Sequence, residues 1–107
     1  MFKGNMSKLL KQAQSVQQEI EKVQNQLSDM IIEGESGGGM VKVKVNGKQE
    51  VLELNIDETT MEEDKEVIED LIVSALNKAL SKAQIDSQEK MNSVAGGMMS
   101  GLKIPGM

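Results

Sequence analysis

Residues 31–57 read Ile-Ile-Glu-Gly-Glu-Ser-Gly-Gly-Gly-Met-Val-Lys-Val-Lys-Val-Asn-Gly-Lys-Gln-Glu-Val-Leu-Glu-Leu-Asn-Ile-Asp, and their reading decides the fold. Two turn signals cut the stretch into three short extended runs. Asn46-Gly47 is a two-residue hairpin signal, because a type I′ turn needs φ > 0 at both central positions. Ser36-Gly37-Gly38-Gly39 is a looser turn between the first two runs. The middle run alternates Val41, Val43 and Val45 with Lys42 and Lys44, the period-two pattern of a half-buried strand. Pairing about Asn46-Gly47 sets Val45 opposite Lys48 and Val41 opposite Leu52. Val41, Val43, Leu52, Leu54 and Ile56 then share one face, and Lys42, Lys44, Val51 and Glu53 the other. Long helical patterns flank the strands on both sides, so helix is expected to cover the apolar face.

The first helix is expected over residues 6–30. Met6, Leu9, Ala13, Val16, Ile20, Val23, Leu27 and Met30 follow one another in alternating steps of three and four, an unbroken heptad seam. Asn5 or Ser7 is a candidate N-cap. At 1.5 Å per residue such a helix spans about 37 Å, more than short strands can cover. Part of it must project or pack on a partner helix. After Asp57, Thr60-Met61-Glu62-Glu63 has the form of a capping box, and acids crowd the first turns, where the helix dipole favours them. An apolar face from Val67 to Ala83 follows, and the helical pattern runs to about Met91. These elements make one domain over 1–92. Residues 93–107, rich in Gly and Met, read as a flexible tail.

Composition excludes several function classes. The 107 residues include no Cys, no His and one aromatic, Phe2, so any core is aliphatic and methionine-filled. Without His or Cys there is no ordinary nucleophile–base pair and no imidazole or thiolate metal site. The acids at 57–70 lack the Gly-kinked loop of an EF-hand and read as a helix start. Gly37-Gly38-Gly39 precedes a strand instead of opening a helix, so it reads as a turn and not a phosphate loop. No enzyme activity, cofactor, metal or small-molecule substrate is expected. No apolar run approaches the roughly 18 residues of a membrane span, and the N-terminal stretch lacks the apolar core of a signal peptide. A soluble cytoplasmic protein is the expectation. A chain with so small a core gains most from oligomerisation.

Net charge is −5, with 12 Lys and no Arg, unevenly spread. Residues 1–18 hold Lys3, Lys8 and Lys11 and no acid, while residues 57–70 hold eight acids against Lys65. Overall acidity argues against indiscriminate coating of nucleic acid. It leaves room for a local basic patch, because salt confines each field to about 8 Å.

The order helix, three strands, helix brings a resemblance with it. Leu10-Lys-Gln-Ala-Gln14, Gly34-Glu-Ser-Gly-Gly-Gly-Met-Val-Lys-Val43, Asn46-Gly47, Ile56-Asp57, Glu63-Asp-Lys-Glu66, Leu71-Ile72, Ala75, Asn77-Lys-Ala79, Lys90-Met91 and Leu102-Lys-Ile-Pro-Gly106 together resemble the YbaB/EbfC family of bacterial nucleoid-associated proteins. The chain departs from the family's pattern at Glu58, where a Pro commonly follows the Ile-Asp pair. The resemblance implies an α+β protomer of order α-β-β-β-α, with a three-stranded antiparallel sheet between two long helices. It implies a tweezer-like homodimer that binds double-stranded DNA in the cytoplasm, associated with the nucleoid and without catalysis. It also implies links to recombination or replication proteins, for which a non-catalytic adaptor is the alternative reading. Candidate DNA contacts are Lys3, Lys8 and Lys11 on the first helix, Lys78 and Lys82 on the second, and Lys42 and Lys44 on the sheet's outer face. Lys22 and Lys90, with acids close in sequence, read as solvated lysines. Without Arg, contact with phosphate is expected to outweigh base readout.

Overall fold

The computed structural model describes the backbone of residues 2–101 and the side-chain surroundings of residues 5–96. The order is α1 (Phe2–Asp29), β1 (Ile32–Ser36), β2 (Val41–Val45), β3 (Val51–Ile56), a 3-10 turn (Glu58–Glu62) and α2 (Lys65–Gly101). The strands form one antiparallel sheet in the order β1-β2-β3. This is the expected α-β-β-β-α, α+β architecture. The long axis measures 74 Å against 26 and 17 Å across, because both helices outrun the sheet.

The core sits between α2 and the inner face of β1 and β2. Val41, Val43 and Val45 are buried there, as their alternation predicts, with Ile32, Ala75, Ala79 and Ala83. The alanines let the helix come very close. A Cβ on Gly34 would lie 2.6 Å from the Ala79 amide nitrogen and 2.7 Å from the Ala75 carbonyl oxygen. The Ser36 hydroxyl donates to the Leu71 carbonyl at 2.6 Å and pins the far end of β1 to the same helix. α2 packs on β1 and β2, and β3 is left largely uncovered. Leu52 and Leu54 are consequently about half exposed, at 49% and 45%.

The β2–β3 connection differs from the expected two-residue turn. It spans residues 46–50, and the positive φ falls on Gln49 at 62°, not on Asn46 or Gly47. The buried Asn46 side chain organises the loop instead. Its Oδ1 accepts the Lys48 and Glu50 amides at 2.9 and 3.0 Å, and its Nδ2 donates to Glu50 Oε1 at 2.9 Å. An Asx-type turn thus replaces the backbone turn. Val41 therefore faces Ile56, not Leu52, and Val45 faces Val51, not Lys48. A shift in register beside Lys44 and Val45 leaves Leu52 as the extra residue, so Val51 pairs on the valine side and not with the lysines. Gly47 is small for another reason. Its amide donates to the Leu27 carbonyl at 2.8 Å, and a Cβ there would lie 2.8 Å from that same oxygen. The loop is clamped to the end of α1. The Gly37-Gly38-Gly39 turn is as expected, with φ of 62°, 66° and 99°.

The helix limits also differ from expectation. α1 starts at Phe2, so Asn5 and Ser7 lie inside it and cap nothing. Thr60 belongs to no capping box. It is fully buried in the 3-10 turn, its hydroxyl donates to the Met40 carbonyl at 3.2 Å, and α2 starts five residues later at Lys65. α2 then continues to Gly101, ten residues beyond Met91, so the stretch read as the start of a loose tail is helical that far. Residues 102–107 fall outside the described residues. Among the described residues, no helix is long and apolar enough to cross a membrane.

Candidate nucleic-acid interface

α1 leaves the body at the hairpin end. Its last turns are anchored, with Val23 and Leu27 buried and the Leu27 carbonyl bonded to Gly47. The helix then runs past the hairpin tip, where Gln17, Ile20, Glu21, Gln24, Asn25 and Lys48 border one shallow recess. Beyond that point no described residue covers the seam. Met6, Leu9, Val16 and Ile20 are all exposed. An uncovered apolar stripe of this kind is the sort of surface that marks interaction sites.

Lys8 and Lys11 stand on this projecting arm, both exposed and one turn apart. Lys3 precedes the residues whose side chains are described. The first acid of the chain is Glu19, two turns beyond Lys11. A phosphate near the arm's tip thus meets cationic groups without a competing carboxylate on the same stretch of helix.

The sheet set has a different environment. On the outer face Lys42 stands opposite Glu35 and Asn55, and Lys44 opposite Glu33 and Glu53. The Lys44 ammonium lies 3.9 Å from Glu33 Oε1 and 3.4 Å from Glu53 Oε2. Such exposed pairs add little stability, about 0–1 kcal/mol each. They do neutralise the lysine, and a phosphate approaching it must first displace carboxylates. Lys78 and Lys82 lie one turn apart on α2, exposed. Lys82 reaches the recess that Glu33, Glu35, Lys42, Lys44 and Glu53 line. Three candidate lysines therefore meet at one place, matched there by three glutamates. Lys48, absent from the candidate set, is brought beside α1 by the longer loop that the sequence did not reveal.

The acidic run of residues 57–70 sits elsewhere. Asp57 and Thr60 are both bonded to the Met40 carbonyl, so the acidic 3-10 turn and the start of α2 lie at the end of the sheet away from Gly47. Among the described residues, no group of three or more acidic side chains is arranged to hold a metal ion.

Comparison with known proteins agrees with this architecture. The crystal structure of the uncharacterized protein HP0035 from Helicobacter pylori is similar to this chain, with 31% identity and a TM-score of 0.60, over 80% of this chain and 96% of that one. The sequence profile of the YbaB/EbfC DNA-binding family matches residues 2–98, nearly the whole of the chain, and with the fold in agreement this protein belongs to that family.

Proposed function

We propose that this protein binds double-stranded DNA as a homodimer, mainly through lysine–phosphate contacts on its projecting α1 arms, and acts without catalysis in the cytoplasm on the nucleoid. The observation that carries the reading is the arm itself: Lys8 and Lys11, free of acids over residues 1–18, on a helix that belongs to a DNA-binding family. The dimer is supported by surfaces that one copy leaves open, the α1 seam and the bare side of β3 with Leu52 and Leu54. Two-fold symmetry would present each lysine cluster twice and double the phosphate contacts. A role in nucleoid organisation, gene regulation or DNA repair follows from such binding. The lysines on the sheet and on α2 are secondary candidates, since carboxylates share their recess.

A gel-shift salt titration on the purified protein tests the reading. Four to six phosphate contacts per dimer give a slope of log K against log salt of roughly −4 to −5. Affinity should vary little among duplexes of different sequence, because phosphate contacts carry no direct sequence information. A salt-independent complex, or one duplex preferred a thousandfold, would count against it.

A further inference from the structure

α1 carries a second stripe with the same spacing as its apolar seam. Lys8, Lys11, Ser15, Gln18, Lys22 and Asn25 follow one another in steps of 3, 4, 3, 4 and 3, and all six are exposed. At 3.6 residues per turn this polar ridge lies about 160° round the helix from the seam. Burying the seam against a second copy would therefore leave the ridge facing outward.

The ridge contains no acid. The acids of α1 are Glu19, Glu21 and Asp29. Glu21 flanks the ridge on one side, one turn before Asn25 and in the same recess as Lys48, Glu19 flanks it on the other, one turn before Lys22, and Asp29 stands where the next ridge position would fall and ends it. Glu19 does not pair with Lys22, since both ion pairs among the described residues belong to Lys44. Lys22 thus presents a free ammonium in line with Lys8 and Lys11, although acids close in sequence had suggested otherwise. From Lys8 to Lys22 the helix rises about 21 Å. Successive phosphates of one DNA strand are about 3.4 Å apart along the duplex axis, so the ridge parallels roughly six of them. Ser15 and Gln18 supply hydroxyl and amide donors between the cations, groups that commonly bond phosphate oxygens.

We infer that the phosphate contact is this whole ridge and not the tip of α1 alone, with Lys22 as its third cation; the inference rests on the DNA-binding reading above. Lys22 is exposed, so Lys22→Gln should leave the thermal midpoint where it is. In a gel-shift salt titration with a short duplex, the variant removes two charges per dimer. The slope should flatten by about 1.8, and affinity at 0.15 M salt should fall on the order of thirtyfold. Lys11→Gln should behave alike, and Lys90→Gln should bind as the parent does. If Lys22→Gln keeps the parent's slope while Lys11→Gln loses its share, the ridge is overturned and binding is confined to the tip. If the parent binds no duplex, the DNA reading itself fails and takes the ridge with it.

Discussion

Gly34→Ala adds one methyl group at the most crowded of the described glycines, and its cost can be worked from the geometry. The new Cβ would sit 2.6 Å from the Ala79 amide nitrogen, 2.7 Å from the Ala75 carbonyl oxygen and 2.8 Å from the Ala79 Cβ. All three are backbone or Cβ atoms of α2, so no side chain can rotate out of the way. The helix has to back off by about 0.8 Å to reach the 3.4 Å at which ordinary contact starts. Overpacking of this kind costs about 1–3 kcal/mol. The Ser36–Leu71 bond, one turn of α2 away, stretches from 2.6 Å toward the limit of a useful hydrogen bond and forfeits up to about 1 kcal/mol more. The sum is a loss of about 1–4 kcal/mol. Urea unfolding at one fixed protomer concentration reads it, because the stability of the proposed dimer would depend on concentration. Gly38→Ala is the control. It has no atom within 4 Å of its added Cβ, so only the strain of its φ of 66° is felt, about 1 kcal/mol. Equal midpoints for parent and Gly34→Ala would refute the claim that close approach of α2 to β1 holds the fold together.

Gly47→Val should cost about 1–3 kcal/mol, through collision with the Leu27 backbone and not through a forbidden turn, and the urea midpoint checks it. Sedimentation at about 1 µM should find a dimer, and Ile20→Asp, which puts a charge on the bare seam, should shift it toward monomer; a compact, cooperatively folding parent monomer would end the dimer proposal. Replacing Lys8 and Lys11 together by Ala removes four charges per dimer and should flatten the salt slope by up to about 3.6, with no change in the unfolding midpoint.

The elements that were legible in the sequence are those governed by repeating patterns. Val41-Lys-Val-Lys-Val45 announced a strand with one dry face, and the three glycines announced the β1–β2 turn. What stayed hidden depended on single side chains finding distant partners. Asn46-Gly47 looks like a tight turn because its residues tolerate positive φ. Asn46 instead bonds two amides further on, and Gly47 is needed by the Leu27 backbone, twenty residues earlier in the chain. Thr60 looks like a cap, yet the partner of its hydroxyl is the Met40 carbonyl in another loop. Gly34, the most crowded of the described glycines, carries no local signal, since only the tertiary approach of Ala75 and Ala79 shows why a side chain is excluded. Among the candidate lysines, sequence showed which were free of acids along the chain. It did not show that Glu33 and Glu53 would close on Lys44 from the two neighbouring strands.

The charge layout makes the proposed hold on a polyanion compatible with a net charge of −5. Its acids are concentrated in residues 57–70, tied at their start to the Met40 end of the sheet by the bonds that Asp57 and Thr60 make there. α1 is tied to the other end by Gly47 and departs from it past the hairpin tip. Between those two ends β2 alone spans about 13 Å, at 3.3 Å per residue. That already exceeds the screening length of about 8 Å at physiological salt, and the arm adds to the separation. At that salt the acidic end would do little to repel a phosphate on the proposed arm site. At low salt the two fields overlap, so the acids oppose binding under the very conditions in which loose, non-specific association with DNA is strongest. Neutralising Glu62 and Glu63 to Gln should therefore raise affinity at low salt and leave it nearly unchanged at physiological salt. A lysine change on the arm, in contrast, is felt at both.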